Sequence, residues 1–344
     1  MLTLTPEEIS PILMDYGILS PAAVLTELQR YDYARKGPDT REVRLILRVE
    51  TGDGRSLVLR LKNEPEAPQA LMEAQSRFAG LLREKGIETP RAYRAGEDYT
   101  RRYDLNGYPV VAALEDFAPG ELKTVDLSTA EETGALLARM HSIAEAENAH
   151  VDGPVLFDPL GRNDLFRFSL FTDLGDFLRE TDAGLYGDIL RRHDLLRERI
   201  RILDRAPRYA VQGDISDCNL YRTGDGRLGI FDFNNCGDNG LFADGVMQAV
   251  FEARLMDYPE NLEDRENRIL AAFLRGYDRE RPFTREERAL YPCLYGLINA
   301  FWLSDLKWDE DSLEARVKAG DREAVRARME GILRKLTELP EMPV

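Results

Sequence analysis

The sequence predicts an α+β protein of two lobes, an antiparallel sheet followed by a mainly helical region. Three features carry this expectation. Apolar residues alternate through Val43, Leu45, Leu47 and Val49 and resume as Leu57, Leu59 and Leu61 after the turn Thr51-Gly52-Asp53-Gly54, the period of a half-buried hairpin. After Pro119-Gly120 the spacing becomes that of amphipathic helices. A single β-like interruption, residues 209–232, stands inside the helical region. The expected division is residues 1–115, a linker at 116–122 and residues 123–344, which suits a 344-residue chain when domains run to about 100–200 residues.

Taken in order, Thr5-Pro6-Glu7-Glu8 combines a cap, a proline at the first helical position and an acidic third residue, the pattern of a capping box. Ser20-Pro21 repeats that start, and Ala22, Leu25 and Leu28 follow at helical spacing, so a second short helix is expected. The hairpin comes next. A long helix is expected over residues 67–85, closed by Gly86 and with Pro90 beyond it. Residues 92–94 and 108–115 read as strands, with Asp104-Leu105-Asn106-Gly107 as the turn between them. Ser128 opens a helix to 145, helical spacing continues over 165–179 and 186–204, and helices return from Ala243 to about Leu339 with a break at Arg281-Pro282. The aromatic run Tyr291, Tyr295, Phe301, Trp302 and Trp308 reads mainly as core.

Composition excludes more than it identifies. The net charge is −16 and the pI near 4.9, which argues against neutralising nucleic-acid phosphates or binding anionic lipid. Cys218, Cys236 and Cys293 are too few and too scattered for a disulfide framework or a Cys-based metal site. The N-terminal residues lack the basic start and apolar stretch of a signal peptide, and no apolar run reaches the roughly 18–20 residues that span a bilayer. A cytoplasmic protein is expected.

The densest group of polar candidates lies in the β-like interruption: Gln212-Gly213-Asp214 with Asn219, a hairpin turning at Thr223-Gly224-Asp225-Gly226, then Asp232-Phe233-Asn234-Asn235-Cys236-Gly237. A hairpin between Asn219 and Asp232 returns the second beside the first. A carboxylate and a carboxamide converging at strand ends suit Mg²⁺, a hard ion that takes oxygen ligands and keeps substrate phosphate and water in its shell. A further carboxylate is then available to orient a hydroxyl and accept its proton.

Asp214, Asn219 five positions on, and Asp232 eighteen positions on, resemble the catalytic and metal loops of the protein-kinase-like fold. Gly213 before the aspartate and the Phe-Asp-Phe at 231–233 are most similar to the aminoglycoside phosphotransferase and choline kinase branch. The resemblance continues along the chain, in Val58-Leu59-Arg60, Glu73, Ala113-Leu114-Glu115-Asp116-Phe117, Leu136-Leu137-Ala138-Arg139-Met140-His141 and Asp244. It implies a two-lobed kinase-like fold and an ATP-dependent phosphotransferase with Mg²⁺. Asp214 would be the base, and Asn219 and Asp232 the metal ligands. Arg60 would clamp the nucleotide phosphates with Glu73 as its acidic partner, Lys62 being its rival because residues two apart share a strand face. Leu114, Glu115 and Phe117 would belong to the hinge whose backbone holds adenine. Gln212 stands where the family usually has His, and the segment at residues 36–41 has one glycine only.

The acceptor implied is a hydroxyl of a small molecule, with amino-alcohols, aminoglycosides and sugars all open; oligomeric state is not legible. Asp214, Asp217, Asp232, Asp238 and Asp244 fall within thirty-one residues, an acidic surrounding that favours a cationic amine. The rivals are a non-catalytic nucleotide sensor, disfavoured by the complete Asp214, Asn219 and Asp232 set, and a Ser/Thr protein kinase, disfavoured by the absence of an Ala-Pro-Glu segment after Asp232. A two-carboxylate hydrolase would act without nucleotide.

Overall fold

The computed structural model describes residues 1–32, 41–155, 158, 160, 168–215, 217–258 and 262–344. Residues 36–40, 165–167 and 216, on which part of the sequence expectation fell, lie outside that set. Two compact units account for the contacts: one of Met1–Lys123, Ala149–Gly153 and Asp217–Gly237, the other of Thr124–Asn148, Pro154–Ser216 and Asp238–Val344. Among the described residues no helix is long and apolar enough to cross a membrane.

The first unit is built on a five-stranded antiparallel sheet. Its strands are β1 (Ala22–Asp32), β2 (Val43–Thr51), β3 (Ser56–Asn63), β4 (Thr100–Leu105) and β5 (Tyr108–Asp116), in spatial order β1-β2-β3-β5-β4. Helix α1 (Pro6–Asp15) starts with the expected capping box, Thr5 and Glu8 each bonding the other's backbone. It lies on one sheet face, where Ile9, Ile12, Leu13 and Tyr16 form one core with Leu45, Leu47, Leu57, Leu59, Leu61, Val110, Ala112 and Leu114. Tyr16 donates its hydroxyl to Ala112 O at 2.7 Å, which satisfies the polar end of a buried ring. Because strand side chains alternate, Arg44, Arg60, Lys62, Ala113 and Glu115 are left on the opposite face. That face carries the site.

Two expectations are corrected here. Residues 22–32 form a strand, not a second helix. Register shifts between Ala22 and Val24 and between Glu27 and Gln29 break the alternation that would have shown it, and Leu28 faces solvent at 47% exposure. Residues 92–94 form no strand of the sheet and make the bridge Ala92 to Glu115; the hairpin partner of β5 is β4, whose polar Arg101, Arg102 and Asp104 conceal an edge strand. The hairpin β2–β3 forms in register, Leu47 opposite Leu59, with Gly54 at φ 84° in its turn. Helix α2 (Gln69–Glu84) ends before Gly86, at φ 91°. A 3-10 turn at Asp217–Asn219 and the short hairpin β7 (Leu220–Arg222) and β8 (Leu228–Ile230) complete the unit.

The second unit is helical: α3 (Leu127–Ala146), α4 (Phe168–Asp173), α5 (Gly175–Arg199), α6 (Leu241–Leu255), α7 (Arg265–Glu280), α8 (Arg285–Ala300), α9 (Leu313–Ala319) and α10 (Arg322–Thr337). Strand β6 (Arg208–Val211) pairs with β9 (Gly237–Gly240), all but the first residue of which belongs to this unit. The break at Arg281-Pro282 separates α7 from α8, and Asp126 rather than Ser128 caps α3. Tyr291, Tyr295, Phe301 and Trp302 are buried, whereas Trp308, on a π-helical turn, is 57% exposed.

Helices α3 and α7 meet at two glycines. A Cβ added to Gly134 would stand 1.9 Å from Phe273 O, and one added to Gly276 would stand 1.8 Å from Glu131 O. No side-chain adjustment relieves either clash, since both obstacles are backbone. Gly331 in α10, by contrast, has open space around it. Urea unfolding should therefore show Gly134→Ala or Gly276→Ala losing about 1–3 kcal/mol, while Gly331→Ala gains about 0.5–1 kcal/mol. A neutral Gly134→Ala would contradict this packing.

Candidate active site

In the first unit the site grows from β3. Arg60 and Lys62 project from the face opposite the α1 core, and each is bound differently. One edge of the Arg60 guanidinium is held by Glu115 on β5, Nη2 at 2.8 Å and Nε at 3.1 Å from the same carboxylate oxygen. Its remaining nitrogen, Nη1, lies 3.5 Å from Asp232 Oδ1. Burial acts to weaken the Arg60 charge, but the Glu115 and Asp232 carboxylates outweigh it and hold the guanidinium above its ordinary pKa.

Lys62 is 2% exposed and donates to Asn234 Oδ1 at 2.5 Å. Burial, then the neighbouring Arg60 and Arg44 charges, push its pKa down to about 8, against the pull of Asp232 and Glu64. Glu64 is itself buried and held by Arg44 Nε at 2.9 Å.

The short hairpin brings the backbone segments of the metal-ligand candidates together. Leu220 pairs with Ile230, and Phe231 N–H donates to Asn219 O at 2.9 Å, so the ladder sets Asn219 beside the start of the Asp232 loop. Asp232 adopts φ 58° without being glycine, a conformation costing about 1 kcal/mol for an L side chain. Its carboxylate accepts from Asn234 N–H at 3.2 Å, a local turn that holds this conformation. Among the described residues no group of three or more His, Cys, Asp or Glu side chains gathers as a metal cage. Asn219 and Asp232 would supply two oxygen donors, which fits a Mg²⁺ that keeps phosphate and water ligands.

Glu73 and the hinge depart from expectation. Glu73 accepts from Tyr99 N–H at 2.9 Å and from Thr100 N–H and Oγ1–H, each at 2.8 Å, and it pairs with Arg77 at 2.8 Å. It fastens the start of β4 and does not pair with Arg60. At about 100° per helical residue, Gln75 instead turns to the inner side, where its amide donates to Asn234 O and Cys236 O at 2.9 and 3.2 Å. Part of the expected hinge backbone is already used: Leu114 O accepts from Tyr93, Asp116 N–H donates to Arg91 O and Phe117 N–H to Ser56 O. The Leu114 side chain lies in the α1 core, and the Phe117 ring stacks under Arg48 at 4.3 Å. Among the described residues, Ala118 N–H is the next backbone donor along the hinge.

In the second unit, Gly213 takes φ 83° and the half-buried Asp214 follows it, donating its N–H to Gln212 Oε1 at 2.8 Å. Gln212, which stands where the family usually has His, is fully buried and accepts this bond. The next residue is also fastened, Ile215 N–H donating to Gln248 Oε1 at 3.0 Å. Gln248 Nε2 in turn reaches Asp244 Oδ1 at 3.5 Å, and Asn239 Nδ2 reaches the same oxygen at 3.3 Å. The other Asp244 oxygen lies 3.1 Å from His141 Nε2, and His141 Nδ1 lies 2.8 Å from Tyr277 Oη. Since Asp244 can only accept, Nε2 is the imidazole donor and Nδ1 takes the tyrosine proton. Helices α3, α6 and α7 thereby fasten the loop that carries Asp214. Gln248, Tyr277 and Gln75 carried no motif of their own; a buried amide or phenol is recognisable only once its partners are known.

Lys62 gives this arrangement a test. Its folded pKa is about 8, below the 10.5 of an unperturbed lysine, so the charged form is disfavoured by folding. That cost is fully present below pH 8 and fades as pH rises towards 10.5. Lys62→Met should therefore raise the unfolding free energy at pH 7 by about 1–3 kcal/mol, and the gain should shrink in unfolding curves recorded near pH 10. An equal gain at both pH values would contradict the assignment.

The comparisons with known proteins bear on the family and the fold. The family model described as the phosphotransferase enzyme family matches residues 41–286. Among solved structures, the chain is similar to a microcompartment-associated aminopropanol kinase at 17% identity, covering 87% of this chain and 90% of that one, TM-score 0.55. It is similar to an amicoumacin kinase in complex with AMP-PNP and Ca²⁺ at 16% identity, covering 96% and 95%, TM-score 0.54. An aminoglycoside phosphotransferase from Alicyclobacillus acidocaldarius is 14% identical over 91% and 93%, TM-score 0.51. A search of curated proteins finds no match. The structural likenesses establish a shared protein-kinase-like fold, and the match across most of the length, with Asp214, Asn219 and Asp232 inside it, places the chain in the phosphotransferase enzyme family.

Proposed function

We propose that this protein transfers the γ-phosphoryl group of ATP to a hydroxyl of a small molecule. The observation that carries the proposal is the grouping on one unit of Arg60, Lys62, Asn219 and Asp232: a buried lysine and a largely buried arginine beside a two-oxygen donor set. Fixed cations next to a Mg²⁺-type donor pair suit a triphosphate better than any neutral ligand. Adenine would hydrogen-bond at Ala118 N–H. Arg60 would bind the phosphates through the Nη1 edge that Glu115 leaves open, with Lys62 adding charge from deeper in the same face.

Asn219 and Asp232 would hold Mg²⁺, which when bound neutralises phosphate charge. Asp214 would accept a hydrogen bond from the acceptor hydroxyl and take its proton as the oxygen bonds to the γ-phosphorus and the bond to the β-phosphate oxygen breaks. The products are a phosphate monoester and ADP, with no phosphoenzyme. Because the chemistry is mainly positioning and charge stabilisation, the fastening of Gly213–Ile215 on both sides matters as much as the carboxylate itself.

The acceptor proposed is an alcohol that also carries an amine. The net charge of −16 supports it, and an aminopropanol kinase and an aminoglycoside phosphotransferase are among the proteins of similar fold. ADP release with Mg·ATP, measured against a panel of amino-alcohols, aminoglycosides and neutral sugars, should show turnover with amine-bearing acceptors. Turnover confined to neutral or acidic acceptors would reject the amine. With the acceptor found, Asp214→Asn should lower kcat by roughly three orders of magnitude or more while leaving ADP affinity nearly intact. Wild-type rates in Asp214→Asn would remove its role as base.

A further inference from the structure

We propose that Glu115 of β5, and not a carboxylate of helix α2, is the positioning residue that holds Arg60 in its phosphate-binding orientation. The inference rests on the phosphotransfer function proposed above. A buried guanidinium has five N–H donors and needs at least one carboxylate to justify its burial. The α2 carboxylate nearest in sequence pattern, Glu73, is committed to the backbone of Tyr99 and Thr100 and to Arg77. The α2 side chain that does face inward, Gln75, is neutral and bonds the carbonyls of Asn234 and Cys236. Glu115 supplies the missing charge from the neighbouring strand.

The geometry also says what Glu115 prevents. Arg60 has a second carboxylate within reach, Asp232, at 3.5 Å. Glu115 binds Nε and Nη2 at 3.1 and 2.8 Å, so it takes the inner edge of the guanidinium and leaves only Nη1 towards Asp232. Without the Glu115 charge, Arg60 would close fully on Asp232 and neutralise the ligand that Mg²⁺ requires. The register supports a fixed distance: Val58 is opposite Glu115 and Arg60 opposite Ala113, so the pair is a diagonal neighbour within a hydrogen-bonded ladder. A clamp built on two paired strands does not depend on where α2 lies.

The test is ADP affinity by calorimetry, with and without Mg²⁺, for wild type, Glu115→Gln, Glu73→Gln, Arg60→Gln and the Arg60→Gln/Glu115→Gln double variant. Glu115→Gln should weaken Mg-dependent ADP binding about tenfold and raise the Mg²⁺ concentration needed for half-saturation. The same change should add less than about twofold when Arg60 is already Gln, because the two act through one another. A purely structural role for Glu115 would instead give additive losses and an unmoved Mg²⁺ requirement. A larger loss in Glu73→Gln than in Glu115→Gln, or wild-type affinity in Glu115→Gln, would overturn the assignment. A wild-type protein that binds no ADP would overturn the phosphotransfer function itself, and with it the role given to Arg60.

Discussion

Two cations two residues apart on one buried strand face set the terms for the first unit. Removing Arg60 and Lys62 from water costs several kcal/mol apiece unless each is paired, and the fold answers with named partners. Glu115 and Asp232 neutralise Arg60, while Asn234 solvates Lys62 without neutralising it. The difference shows in their titration: Arg60 is held charged and Lys62 is pushed down to about 8. A structure that kept only its most stable arrangement would have filled this face with apolar residues, as the other face of the same strand does with Leu57, Leu59 and Leu61. The Lys62 charge, which burial disfavours, is what the proposed binding of phosphate groups would use.

A different constraint orders the second unit. Gly134 and Gly276 let the backbones of α3 and α7 approach until no Cβ fits between them. That approach brings His141 of α3 within 2.8 Å of Tyr277 of α7. His141 then meets Asp244, Asp244 meets Gln248, and Gln248 holds the backbone of Ile215 beside Asp214. A contact between small residues is thus transmitted to the loop that carries Asp214 through fully buried, fully partnered polar groups. Such networks are costly when incomplete, so each member constrains its neighbours, and the loop inherits the rigidity of three helices.

Much of this was legible in the sequence, and the failures have physical causes. The β2–β3 hairpin was plain because one face is apolar throughout. The spacing of Asp214, Asn219 and Asp232 was plain because a hairpin of fixed length must lie between the last two. Strand β1 was misread because two bulges and a solvent-facing Leu28 disguise its period. Strand β4 was missed because an edge strand can be almost wholly polar. Glu73 was misassigned because motif position locates a residue on a helix but not the direction it faces, and a shift of two residues reverses that direction. That Asp116 and Phe117 in the expected hinge already spend their N–H groups was not legible, because sequence shows which residues extend a strand, not which of their N–H groups are used. Lys62 and Arg60 were both visible, but their partners Glu115 and Asn234 were not.

The central claim is that Asn219, Asp232 and the β3 cations together form a site for a metal-bound nucleotide triphosphate. Its most direct measurement is a calorimetric titration of the wild-type protein with the non-hydrolysable analogue AMP-PNP, in Mg²⁺ and again in EDTA. The predicted result is saturable binding in Mg²⁺ that weakens at least tenfold in EDTA, with Asp232→Ala reproducing the EDTA behaviour in the presence of Mg²⁺. No binding under either condition, or equal binding in both, would contradict it.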